Sequence, residues 1–213
     1  MSSASREKII GKIRKSLDEE KVAIPFPEVE KLSEFLVKED LSLEEKFAKE
    51  FALLGGKFVY CANVQELCEQ LETLADTMQW KKIHTKDHSL LKLFHQQELD
   101  FVQDGNDMCD IEVGISTCET LVARTGSVML SASQPYGRAL PVYAPIHITV
   151  AFAKQLVYNI SDSINYLQQK YPKQLPSMIS LTTGPSRTAD IEKTLVVGVH
   201  GPKEVYVFFV DEE

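Results

Sequence analysis

The chain has few cysteines, one tryptophan, no excess of positive charge and no long apolar run. Its four cysteines, Cys61, Cys68, Cys109 and Cys118, are scattered and form no C-x-x-C pair. Iron–sulfur ligation by this chain alone is therefore not expected, and no disulfide framework is needed at this length. The formal net charge of −8 argues against a sequence-independent nucleic-acid binder, which needs a basic face. No apolar stretch approaches the roughly 20 residues of a membrane span. The opening MSSASREKIIGKIRKSL spaces its apolar residues with charges, as an amphipathic helix does, and lacks the core of a signal peptide. The expected location is the cytoplasm. Walker, G-x-G-x-x-G and G-x-S-x-G motifs are absent too.

What is present is an ordinary globular composition, 44% apolar and 25% charged, in 213 residues, enough for one α/β domain with a sizeable core. Ile9, Ile10, Ile13 and Leu17 make one stripe of a helix from Ser5 to about Lys21. Pro25 and Pro27 mark an extended connector. A second helical region runs from about Val29 to Leu54, recapped at Ser42 by a capping box with Glu45 and ended by Gly55-Gly56. An α/β rhythm follows. Strands are expected at Lys57–Cys61, Lys82–Thr85, Asp110–Ile115, Gly126–Ser131, His147–Val150, Gln155–Tyr158, Ser177–Leu181 and Glu204–Val210. Helices are expected at Val64–Met78, Asp87–Gln97, Cys118–Arg124 and Ser161–Gln169. Phe101–Asp107 reads as a turn-rich link and Pro135–Pro145 as an irregular loop.

This alternation predicts an α/β fold, a mostly parallel sheet flanked by helices, with ligands at the carboxyl ends of the strands. The domain expectation is an N-terminal helical extension over 1–55 and an α/β domain over 56–213.

Two motifs stand out near the C-terminus. TTGPSRTADIE, from Thr182 to Glu192, follows an apolar strand, and GVHGP spans Gly198 to Pro202. In the first, Thr188 reads as a helix N-cap with Asp190 and Glu192 in the first turn. Gly184 allows close backbone approach, Ser186 and Thr188 bring hydroxyls, and Arg187 can pair with a carboxylate or phosphate. The two acids would repel that anion, and a purely structural use of the loop, Arg187 bonded to a nearby acid, stands beside the ligand reading. In the second motif, His200 beside Gly201 is a weak catalytic candidate that equally well orients the loop.

Further upstream, Thr125, Gly126 and Ser127 form a small-residue turn after Arg124 and are ligand-binding candidates: Thr125 and Ser127 either face the cleft or only cap and pair. Glu119 is the other weak catalytic candidate. Arg138 leads through a stiff segment with Pro141 and Pro145 to His147. Arg138 can clamp an anion, and His147 reads first as a satisfied core histidine. His84 is expected at a strand end and His88 and His95 on a helix, so the three need not share a face, and no Cys or acid completes a metal site.

The two C-terminal motifs, with the Thr-Gly-Ser turn, resemble those of the LUD-domain proteins, and within them the lactate-utilization protein C group. The resemblance spans roughly Asp110 to Asp211. It implies a fold related to the ribose-5-phosphate isomerase, glucosamine-6-phosphate deaminase and CoA-transferase superfamily. It also implies an accessory role beside iron–sulfur proteins in oxidising L-lactate to pyruvate, with the clusters on those partners. A small or acidic residue is common in that family where Arg124 stands here, which puts acid-dependent chemistry in doubt. CoA transferases on related folds use a Glu nucleophile, but no motif around Glu119 supports that role. Two alternatives stand beside this: a free-standing enzyme on a phosphorylated sugar or acyl-CoA, and a scaffold or regulatory subunit. A homodimer through the N-terminal helices is a further expectation. The central expectation is physical. The Gly-Pro turns, Arg138 and Arg187 should converge on one positively lined pocket that takes a small anionic ligand at the sheet's carboxyl edge.

Overall fold

The computed structural model describes residues 3–19, 40–104, 111–191 and 194–212. They fall into two units, residues 1–40 and 41–213. In the first, α1 (Ser3–Glu19) is an amphipathic helix on which Ile9 and Ile13 are exposed. The connector at 23–27 and the helix start near residue 29 lie outside the described residues.

The larger unit begins with α2 (Leu43–Leu53). Ser42 caps it: its hydroxyl accepts from the Glu45 amide while the Glu45 carboxylate accepts from the Ser42 amide. The unit boundary at 40/41 places α2 in the body of the domain, where Phe47 and Phe51 are fully buried. Next come β1 (Lys57–Cys61), α3 (Val64–Met78), β2 (Ile83–Thr85), α4 (His88–Gln96) and β3 (Val102–Asp104). Asn63 and Asp87 cap α3 and α4 by accepting from backbone amides. The remaining strands are β4 (Val113–Thr117), β5 (Thr120–Val122), β6 (Ser127–Ser131), β7 (Ile146–Phe152), β8 (Leu156–Val157), β9 (Ile179–Thr182), β10 (Arg187–Ile191), β11 (Thr194–Val197) and β12 (Glu204–Val210). The remaining helices are α5 (Leu140–Tyr143) and α6 (Ile160–Lys170).

Six strands form an all-parallel sheet in the order β1-β12-β7-β4-β2-β3. Its central strands are buried on both sides, as in a doubly covered parallel sheet. One face packs on α3 and α4 through Leu67, Leu71, Leu90 and Phe94 against Ile115, Ile148, Val150 and Phe208. The other face packs on Phe47 and Phe51 of α2, Leu140 of α5, and a second sheet through Leu121, Val128 and Leu130. The fold is therefore α/β with a parallel sheet flanked by helices.

The second sheet, β8-β5-β6-β9, is where the structure departs most from the expected pattern. Cys118–Arg124 is not a helix. Thr120, Leu121 and Val122 are fully buried in β5, and only the 3-10 turn Ala123–Thr125 and Gly126 separate β5 from β6. So short a link permits only an antiparallel pair. The TADIE segment is not a helix either. It forms β10, paired antiparallel with β11. The β-branched Thr188, Ile191, Thr194, Val196 and Val197 outweigh the local cap signal. The expected link at 101–107 contains β3, and its remainder lies outside the described residues. The strand expected at 110–115 is shifted toward β4, and the loop at 135–145 contains α5.

Gly126 fixes where α2 sits. It has φ +58, and a Cβ there would fall 2.5 Å from the Phe51 amide nitrogen. Gly126→Ala is expected to cost about 3 kcal/mol or more of unfolding free energy in urea, since backbone rather than a flexible side chain must yield. Gly137→Ala is the control. That glycine also has positive φ, +60, but open space around it, so the loss should stay near 1 kcal/mol.

Candidate functional site

The two C-terminal motifs meet. The Ser186 amide donates to the Pro202 carbonyl at 2.9 Å, and the Gly198 amide donates to the Ser186 carbonyl at 2.9 Å. Between them lies a cleft of about 260 Å³ lined by Thr182–Ser186, His200–Pro202, Pro141, Val142, His147 and Val205. A second groove of about 400 Å³ adjoins it, sharing Val142, His200 and Gly201 and adding Tyr143 and Lys203. His147 and Val205 stand near the first residues of β7 and β12. The cleft therefore opens at the amino ends of the two central strands, not at the expected carboxyl edge.

Its polar side chains are Thr182, Thr183, Ser186, His147 and the exposed His200. None of the lining residues is Lys or Arg. Gly184, Ser186, His200 and Gly201 are thus brought together as expected, but the positive lining is missing because both arginines are engaged elsewhere. Arg187 donates through Nη2 to the Leu54 carbonyl at 2.7 Å. A guanidinium there satisfies an orphan carbonyl and complements the negative end of the α2 dipole. Gly184, at φ +81, makes room for the same turn, since a Cβ would meet the Leu54 oxygen at 2.8 Å. The loop that reads as an anion cradle is in large part the dock for α2. Arg138 donates to Ser177 Oγ at 2.6 Å and is exposed. Thr188 and Asp190 stand in β10; Glu192 lies outside the described residues.

The Thr-Gly-Ser turn supports the cleft from behind. Ser127 Oγ bonds Thr125 Oγ1 at 2.8 Å and Thr183 Oγ1 at 2.9 Å, steadying one lining residue. Arg124 is held by Asn159 Oδ1 at 2.6 Å. Glu119 is fully buried away from the cleft lining. Its carboxylate accepts from Ser131 Oγ at 2.5 Å, Lys170 Nζ at 2.8 Å and Tyr171 Oη at 2.9 Å. Three donors leave it no free role as a nucleophile. It ties α6 to the second sheet.

His147, expected first as a satisfied core histidine, is buried and bonded as such, and it also lines the cleft. Its Nε2 lies 2.8 Å from Ser116 Oγ. Burial lowers its pKa to about 4, so the ring is neutral near pH 7. A polar pair inside two apolar strands, Ser116 in VGIST and His147 in IHITV, is the signal that could have found it, because buried polar groups occur in mutually satisfied sets. The thiols are inert by comparison. Burial pushes Cys61 up to about 12, Cys68 up to about 11, and Cys118 higher still. Cys109 lies outside the described residues. Among the described residues no three His, Cys, Asp or Glu side chains come together as metal ligands.

Comparison with known proteins adds the family. The LUD domain profile matches residues 44–210. The chain belongs to the LUD domain family. It is similar to the lactate utilization protein C of Geobacillus thermodenitrificans, 31% identical over 136 residues, which cover 62% of this chain and 54% of that protein. The namesake protein of Bacillus subtilis is 35% identical over 102 residues, 46% of this chain and 42% of that one. The matched stretch thus spans about half the length of such relatives or less. A crystal structure of a DUF162 family protein from Deinococcus radiodurans superposes with a TM-score of 0.58 at 18% identity, covering 80% of this chain and 99% of that one. At that identity it establishes the shared fold.

Two measurements check this description. An unfolded histidine titrates near 6.5, so between about pH 6.5 and 4 the unfolded chain binds a proton at His147 that the native chain refuses. Native stability from this group is full above that window and falls, by about 3 kcal/mol in all, as pH drops through it. His147→Gln should flatten that slope in urea unfolding. Separately, Glu119→Gln should cost about 3 kcal/mol by leaving buried donors poorly matched. Arg187→Met should cost only about 1 kcal/mol, as loss of a helix-end contact.

Proposed function

We propose that this chain is the component of an L-lactate oxidising system that carries no iron–sulfur cluster itself, and that it works beside cluster-bearing partner proteins. The similarity to the lactate utilization C proteins, at 31% and 35% identity, carries this reading. Oxidation of lactate to pyruvate removes two electrons, and the sequence holds no nicotinamide, flavin or cluster motif to accept them, so the redox centres belong to the partners. The separated cysteines, whose described members burial keeps protonated, support the same division of labour.

The cleft at the amino ends of β7 and β12 is the seat for a small ligand of that system. The cleft lining itself has no cationic side chain, and Lys203 of the adjoining groove is the cation at hand for an anionic ligand under either reading. Deleting the gene should abolish growth on L-lactate as sole carbon source while sparing growth on pyruvate. The tagged protein should also retain an iron-containing partner on affinity purification. Unimpaired growth on lactate together with an iron-free eluate would overturn the proposal.

A further inference from the structure

The second sheet ends in β9, which has a neighbour on one side only. The register of the β6–β9 pair tells which backbone groups of β9 point away from that neighbour. The Ala132 amide donates to the Met178 carbonyl at 2.9 Å, and these two residues stand opposite one another in the register that pairs Ser131 with Ile179 and Leu130 with Ser180. Hydrogen-bonded pairs alternate along an antiparallel ladder. Met178, Ser180 and Thr182 therefore turn their N–H and C=O groups toward β6, while Ile179 and Leu181 turn theirs to the free edge. Among the described residues, no backbone hydrogen bond reaches those outward groups.

The same two residues carry exposed side chains. Ile179 and Leu181 stand opposite Ser131 and Met129, on the face of the sheet where α6 lies. Thr120, opposite Met129, is bonded to Ser163 of α6, and Ser131 is bonded to Glu119, which Lys170 holds. The helix packs over β5 and β8 and leaves β9 bare. Met129 is buried, whereas Ile179 and Leu181 are 38% and 37% exposed. Edge strands are ordinarily guarded by a charge, a proline or extreme shortness. The other edges of the two larger sheets follow that rule: β1 carries Lys57, β3 has three residues and β8 has two. Within β9 there is no such guard.

The partner that fits this edge is a second copy of the chain. No residue from 174 to 186 is charged, although the chain carries a net charge of −8. Two copies of so acidic a protein repel one another over most approaches, and this neutral strip is where they meet without setting like charges together. The strip is also self-complementary, apolar-polar-apolar in either direction. About a two-fold axis at Ser180, Ile179 faces the partner's Leu181 and Leu181 faces the partner's Ile179. A slip by one residue sets outward groups against inward ones, and a slip by two sets Ile179 against Thr183 or Leu181 against Ser177.

We propose that β9 is the contact of a two-fold dimer, in which the strands of two copies pair antiparallel about Ser180 and join two four-stranded sheets into one. The outward groups of Ile179 and Leu181 then form hydrogen-bonded pairs, and four apolar side chains come together on one face. A contact of one strand pair and its flanks lies near the lower size limit for stable association, about 1,000 Å², so the dimer should form and dissociate across the micromolar range. Since β9 runs directly into Thr182–Ser186, the dimer steadies one wall of each cleft.

The test is sedimentation velocity of the full chain from low to high micromolar concentration, with a urea unfolding midpoint for every variant. Wild type should pass from monomer to dimer. Leu181→Lys and Ile179→Lys each put a charge on the strip, and each should weaken dimerisation about tenfold or more. Their urea midpoints should hardly move, because the side chains replaced are exposed; should one of them unfold, the other carries the test. Register is read separately with Ser180→Cys. Residue 180 and its copy form a non-hydrogen-bonded pair with Cα atoms about 4.5 Å apart, within disulfide reach. Mild oxidation should link that variant into a dimer on a non-reducing gel and leave wild type, with its native cysteines, unlinked. A monomer at every concentration overturns the proposal. So does a dimer that both lysine variants keep, as one through the N-terminal helices would be, or a failure of Ser180→Cys to cross-link.

Discussion

The C-terminal end of α2 is pinned between two glycines, and most of the domain's arrangement depends on that contact. Gly126 admits the Phe51 backbone on one side, and Gly184 admits Leu54 on the other. Phe47 and Phe51 then reach the face of the main sheet that carries Val205, Val207 and Phe209. Because Gly184 and Arg187 belong to the loop that walls the cleft, the helix and the cleft share one support. The cleft has its shape because the loop is committed to holding a helix, and an Arg bound to a carbonyl 133 residues away in sequence is part of that commitment.

The main sheet and its caps were legible because their signals are local and mutually consistent. Ser42 with Glu45, Asn63 before Val64, and Asp87 before His88 announce helix starts, and the apolar run from Val205 to Val210 announces a buried strand. The TADIE segment misleads because Thr188, Asp190 and Glu192 satisfy a capping pattern while the β-branched residues around them pair with β11. Cys118–Arg124 misleads because three buried residues in a short strand carry no period that tells strand from helix.

The candidate site was legible in half. The meeting of the two Gly-Pro motifs followed from their chemistry. The destinations of Arg187 and Arg138 did not, because each partner, Leu54 and Ser177, is chosen by tertiary contact and leaves no trace near the arginine in sequence. The position of the cleft was misjudged for a related reason. The carboxyl-edge rule assumes that loops after the strands build the site, whereas here the segments leading into β7 and β12 do so, together with the loop after β9.

The two faces of the main sheet have different duties, and along β4 and β7 these alternate residue by residue. Ile115, Ile148 and Val150 point into hydrocarbon, while Ser116, His147 and Thr149 point the other way. Tolerance to substitution should therefore follow the parity of position along these strands. One register obeys volume, so that a swap among aliphatics passes with little consequence. Its neighbour obeys hydrogen-bond pairing, as between Ser116 and His147, so that two side chains of equal size can differ entirely in what they permit. A family of sequences diverging on this scaffold would be free to drift on one register and held to a narrow alphabet on the next.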